Sequence, residues 1–185
     1  MNEEKIVKMI REDEWMMETL RAVDILRLPD WWICAGFVRS KIWDVRFGTG
    51  ERTLLDDIDV IYFEPGNIEE RIEKFYEKQL CSMMPGPRWS VKNQARMHVL
   101  NGVPPYSSSA DGISKFPETA TALGVKLDQS GNIILIAPWG TEDVLNGIIR
   151  PTPPFKKTRL MSIFETRLNT KKWEQNWKGL KVCRE

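Results

Sequence analysis

The stretch LLDDIDVIYFEP, residues 54–65, places three acids at the opening of a run apolar enough to demand a place in a core. On a strand, successive side chains point to opposite faces. Asp57, Asp59 and Ile61 then share one face, and Asp56, Ile58, Val60 and Tyr62 share the other. Same-face carboxylates at i and i+2 have Cα atoms roughly 6–7 Å apart. Like charges that close repel unless a proton or a cation lies between them. A divalent ion is the first candidate, and oxygen ligands with retained waters suit Mg²⁺, with Mn²⁺ as the alternative.

The rest of the chain can supply a core for such a strand. It has 185 residues, 42% of them apolar, and a net charge of +1, which argues against a generic polyanion binder. The charge is unevenly spread: residues 1–30 hold eight acids against five bases, and residues 156–185 hold nine Lys and Arg against three acids. Cys34, Cys81 and Cys183 are widely spaced, lack a C-x-x-C and are accompanied by a single His, so neither a zinc site nor a disulfide partner is expected. No apolar run is long enough to span a membrane and no segment reads as a signal peptide, so the expected location is the reducing cytoplasm.

Periodicity predicts a helix over 3–28, with Ile6, Met9, Ile10, Met16, Leu20 and Val23 at helical spacing, ended by Pro29. A short buried strand follows in DWWICAG (30–36), then a helix carrying Val38, Ile42 and Val45. After the acidic strand, NIEERIEKFYEKQL (67–80) reads as an amphipathic helix facing inward with Ile68, Ile72, Phe75 and Tyr76. RWSVKNQARMHVL (88–100) reads as a strand carrying Asn93, Arg96 and His98, and TATALGVKLDQSGNIILIAP (119–138) as two strands joined by a turn at 129–132. The segment 156–182, with Trp173 and Trp177, reads as a terminal helix or two. The expected fold class is a mixed α/β sheet flanked by helices. A single domain over 1–185 is expected, with its core at 30–153 and a helical C-terminal extension at 156–185.

A strand closing on Gly36, a helix, and a strand opening on Asp57-Ile58-Asp59 resembles the nucleotidyltransferase superfamily related to DNA polymerase β. AGFVRS (35–40) followed by DID is similar to the G-G-x-V-R-D and D-x-D runs in the head of tRNA nucleotidyltransferases. VKNQARMH (91–98), ETATALGV (118–125) and the Ala137-Pro138 pair resemble small bacterial nucleotidyltransferase-like proteins, so the likeness extends over roughly 30–153. The resemblance implies a polymerase β-type fold and transfer of a nucleoside monophosphate from an NTP to an acceptor hydroxyl, with release of pyrophosphate. Asp57 and Asp59 would hold the metal ions, two of them about 4 Å apart. Gly36, Phe37, Arg39, Ser40, Asn93 and Arg96 would face the nucleotide, since a glycine turn opening a helix lets backbone N–H groups approach phosphates.

Two departures from that pattern raise an alternative. Phe37 stands where the superfamily places Gly or Ser, so a hydroxyl contact to phosphate is missing. The strand at 88–100 carries no acid where many relatives place a third carboxylate. Glu118 leads into the expected strand TATALGV and is the candidate to replace it; Asp128 lies at the far turn. Without a replacement the chain reads as a nucleotide-binding module that senses rather than turns over. An RNA-acting role through the basic tail is a third reading. The acceptor (small molecule, protein or RNA) and the base are open at this level.

Overall fold

The structure, a computed structural model, describes residues 2–156 and 158–184; Met1, Lys157 and Glu185, inside the expected 1–185 span, lie outside the described residues. The elements run α1 (Asn2–Arg11), α2 (Glu14–Ile25), β1 (Trp32–Cys34), α3 (Gly36–Phe47), β2 (Ile58–Tyr62), α4 (Glu70–Met83), β3 (Trp89–Asn93), α5 (Gln94–Asn101), α6 (Ser109–Ser114), β4 (Gly124–Leu127), β5 (Ile133–Ile136), α7 (Glu142–Asn146), β6 (Ile148–Ile149), α8 (Met161–Lys171), a 3-10 turn (Trp173–Gln175) and β7 (Lys181–Val182). Five strands form a mixed sheet in the order β3-β2-β1-β4-β5, in which only β2 and β3 are parallel. Parallel pairing needs a crossover, and α4 supplies it. No described helix is long and apolar enough to cross a membrane.

The alternation along β2 divides the two faces of the sheet. Ile58, Val60 and Tyr62 join Ile33, Val91 and Val125 in the main core under α1–α4. Ile61 joins Trp32, Cys34, Ile113 and Ala122 in a smaller cluster on the opposite face. That second face is only partly covered, which leaves a floor for a cleft.

Several expected boundaries move, each for a local reason. The helix expected over 3–28 breaks in two because Asp13 turns its carboxylate to cap α2: Oδ1 accepts from the Met16 N–H at 3.1 Å. The strand expected over 88–100 stops at Asn93, whose side chain caps α5 by accepting from Ala95 N–H, so Arg96 and His98 lie on a helix. The helix expected from 67 begins at Glu70, leaving Ile68 outside it and about half exposed; on α4 the inward stripe is shifted, with Phe75 54% exposed and Glu73 fully buried. The segment 118–123 is irregular backbone, and strand β4 begins only at Gly124. The C-terminal segment holds one regular helix, and β7 pairs in parallel with β6.

Asp13 gathers more than a cap. Arg52 donates to both its oxygens at 2.6 and 2.8 Å, and Lys41 pairs with it at 2.8 Å. Arg52 also stacks 4.2 Å from the Trp15 ring, tying the 48–55 loop to α2. Burial opposes the charge on Asp13, but Lys41, the Met16 N–H and Arg52 together hold its carboxyl below the ordinary range. A depressed folded pKa adds stability above the unfolded value and loses it on acidification. Asp13→Ala is therefore expected to cost about 2–4 kcal/mol at neutral pH. The difference from the parent should shrink below about pH 4. Asp13→Asn, which keeps the cap, should lose less; urea melts at several pH values measure both.

Candidate active site

The joint between β1 and α3 is strained. Ala35, not Gly36, carries the unusual backbone, with φ 52° and ψ −116°, a conformation non-glycine residues avoid. A Cβ at Gly36 would meet Nη2 of Arg39 at 3.6 Å and the Leu55 side chain at 3.8 Å, which are ordinary contacts. The first helical bond of α3 runs from the Arg39 N–H to the Ala35 carbonyl at 3.0 Å. The N–H groups of Gly36, Phe37 and Val38 are thus the unpaired donors of a helix start, where the dipole favours an anion.

The register of β1 against β2 sets Asp59 opposite Cys34, one residue before that turn. Burial, and after it the neighbouring Asp57, push Asp59 up to about 6, against the pull of Arg39, Lys171 and Arg167. Asp59, Ala35 and Ile61 line a cleft of about 870 Å³ together with Lys92, Gln94 and Arg167. Its farther wall is apolar, with Tyr106, Phe116, Phe155 and Ile163. Asp56 points outward and pairs with Lys171 of α8 at 2.8 Å.

The remaining residues singled out in the sequence fall elsewhere. The Phe37 ring is buried in the main core, 5.8 Å from the Trp15 ring, so only its backbone faces the turn. Arg39 is buried among Trp43, Trp173 and Trp177, its guanidinium carbon 5.2, 4.7 and 5.9 Å from their ring centroids. Burial pulls its pKa down to about 10 despite Glu118, Asp59 and Asp56 nearby. One Nη donates to Ser40 Oγ at 3.3 Å, Nε has no partner, and neither side chain lines the cleft.

Asn93 has both ends of its amide committed: Oδ1 accepts from Glu64 and Ala95 N–H, and Nδ2 donates to the carbonyls of Glu64 and Asn67. Arg96 forms a fork with Glu73, Nε to Oε1 at 3.1 Å and Nη2 to Oε2 at 2.7 Å. His98, on α5, packs edge-on to Tyr106. Glu118 is fully buried, and its carboxylate accepts from Arg167 and Thr121. Among the described residues no three of His, Cys, Asp and Glu gather to hold an ion, and the Glu118 carboxylate is taken up by Arg167 and Thr121. Its burial draws it to the nearest fixed cation.

Lys92 and Arg167 escaped the sequence reading. Lys92 sits between residues read for other reasons, and Arg167 lies in a segment read only as a basic helix; alternation on β3 could have found the first, and nothing local the second.

Residues 21–182 match the protein family described as nucleotidyltransferase. No curated protein matches in sequence. Among solved structures, one described as revealing a CCA-adding enzyme head domain is 36% identical with a TM-score of 0.88, over 98% of this chain and 96% of that one. A CCA-adding enzyme with CTP (15% identity, TM-score 0.60, 96% of this chain and 43% of that one) shares the fold. So does the Thermotoga maritima CCA-adding enzyme with tRNA (15%, 0.58, 97% and 42%). The chain spans less than half the length of those two enzymes. Matched over most of its length by the family and nearly end to end by a 36%-identical head domain, the chain belongs to the nucleotidyltransferase family.

Proposed function

We propose that the protein transfers a nucleoside monophosphate from an NTP to an acceptor hydroxyl and releases pyrophosphate. The carrying observation is the placement of Asp59, beside Asp57, on the floor of a large cleft and next to the open N-terminus of α3. Two hard oxygen donors, with Asp59 pushed toward its protonated form by burial and by the charge of Asp57, fit a divalent cation. Asp57 and Asp59 would hold Mg²⁺, with Mn²⁺ as substitute, and the ion would supply Lewis acidity at phosphoryl oxygens. With only these two protein carboxylates available, a second ion would be left to take its remaining ligands from substrate and water.

The chain's own groups do the rest. The N–H groups of Gly36, Phe37 and Val38 bind phosphate oxygens at the helix start. Ionised Asp59 orders the reacting groups, and the cleft's apolar wall excludes water and seats the uncharged part of a substrate. A second reading, a nucleotide-binding module without turnover, is favoured by two observations: β3 has no acid, and Glu118 is paired with Arg167.

The test is to incubate the protein with each labelled NTP, Mg²⁺ and a cell extract. The expected result is label on an acceptor together with pyrophosphate release that disappears in Asp59→Asn. Binding of NTP without pyrophosphate release in either Mg²⁺ or Mn²⁺ would replace transfer by the sensing role.

A further inference from the structure

Arg167 reaches the cleft from α8, outside the motifs at 30–153 that carry the resemblance in sequence but within the 21–182 span of the family match. Its Nε donates to Glu118 Oε1 at 2.7 Å and its Nη2 to Oε2 at 3.3 Å. Glu118 is fully buried, and Thr121 Oγ1 donates to the same Oε2 at 2.7 Å. Two of the three guanidinium nitrogens are thereby fixed to a counterion that solvent does not reach. The third, Nη1, has no acceptor among the described residues, and the side chain is one-third exposed where it lines the cleft with Asp59.

This arrangement differs from the other cations of the cleft. Lys92 shares its ammonium between Glu73 and Glu77 at 3.5 and 3.6 Å, and Lys115 pairs with Asp111 at 3.3 Å. Both are compact charges on flexible stems, whereas a clamped guanidinium has already lost the rotamer freedom that binding would remove. Its remaining edge is a charged donor held in a fixed orientation, and a charge-assisted hydrogen bond to an anionic oxygen is stronger than a neutral one, an advantage that the Glu118 charge offsets only in part.

We propose that Arg167 binds the phosphates of the nucleotide through Nη1, and that Glu118 is the positioning residue that aims it. The inference rests on the nucleotidyl-transfer reading for its ligand. It gives the buried Glu118 a task distinct from metal ligation. The same donor could take an anionic group of the acceptor, and the ligand series below separates the two.

The experiment measures binding of tripolyphosphate, ATP, AMP and adenosine by calorimetry in Mg²⁺. It compares the parent, Arg167→Lys, Glu118→Gln and the double variant Glu118→Gln/Arg167→Gln. The double variant removes both charges of the buried pair, so neither is left alone, and a thermal melt checks its fold. The double variant should bind tripolyphosphate and ATP about tenfold or more weakly, AMP with a smaller loss, and adenosine unchanged. Arg167→Lys should recover part of the loss. Glu118→Gln alone should give an intermediate loss that follows phosphate number, which a merely structural role would not do.

Unchanged tripolyphosphate and ATP affinity in the double variant, equal losses for adenosine, or a parent that binds neither tripolyphosphate nor ATP would overturn the proposal. If Arg167-dependent tripolyphosphate binding is found and no NTP is turned over, the transfer reading fails and this one stands. If transfer proceeds independently of Arg167, the reverse holds.

Discussion

Asp59→Asn is expected to lower nucleotidyl transfer by about a thousandfold or more while the fold stays intact, because one of two metal-binding carboxylates is replaced by a neutral amide. The same variant should be more stable than the parent in metal-free buffer. The sign follows from the raised pKa: about 6 in the folded protein against 3.8 for the unreacted carboxyl. Between those values the folded state holds a proton that the unfolded state has released. Folding is therefore penalised increasingly as pH rises from about 4 to about 6, and by a constant amount above. That penalty is on the order of 2–3 kcal/mol, and Asn removes it.

At pH 7.5 the melting temperature of Asp59→Asn should exceed that of the parent by roughly 5 °C. Below about pH 4 the two should coincide. Mg²⁺ or Mn²⁺ should raise the parent's melting temperature and leave the variant's nearly unmoved. An Asn variant that is less stable than the parent at pH 7.5, or that responds equally to Mn²⁺, would show that no cation is drawn to this pair.

The second large effect is on stability. Glu73 on α4 is fully buried and holds four donors: Arg96 Nε and Nη2 at 3.1 and 2.7 Å, Lys92 Nζ at 3.5 Å and the Asn93 N–H at 3.0 Å. It joins α4 to the end of β3 and the start of α5, whose Lys92 and Gln94 line the cleft. Glu73→Ala leaves a void, an unpaired backbone donor and two under-compensated cations. The expected cost is about 3–5 kcal/mol, which lowers the melting temperature by roughly 10 °C. Phe75→Ser, two residues along the same helix, should change stability by no more than about 0.5 kcal/mol, because that ring is 54% exposed. A ranking of the two variants in the opposite order would put the inward face of α4 where hydrophobic periodicity alone places it.

That contrast marks how far local pattern reaches. The alternation in LLDDIDVIYFEP was sufficient to assign faces: Ile58, Val60 and Tyr62 enter the main core, while Asp59 and Ile61 line the cleft. Strand periodicity has that force because a register slip of one residue would bury the acids and expose the aliphatics. The hairpin after β4 was legible for a similar reason, with Asp128 accepting from Ser130 and Asn132 N–H groups in a turn whose chemistry is local.

The sequence by itself determined the strand–helix–acidic-strand order, the face on which Asp59 lies, and the family likeness, because each rests on spacing within one element or between neighbours. Only the tertiary structure decided what the long charged side chains do. Arg39 and Arg96 were placed at the nucleotide alongside the resemblance, and Glu118 in catalysis as a replacement for the acid missing from the strand expected at 88–100. In the fold, Arg39 is enclosed by Trp173 and Trp177 from the far C-terminus, Arg96 is forked to Glu73, and Glu118 is clamped to a residue 49 positions away. A buried charge must find a partner wherever the fold offers one, since leaving it unpaired costs more than any local preference contributes. The identity of that partner depends on which distant segments the packed core brings together, and spacing along the chain does not record it.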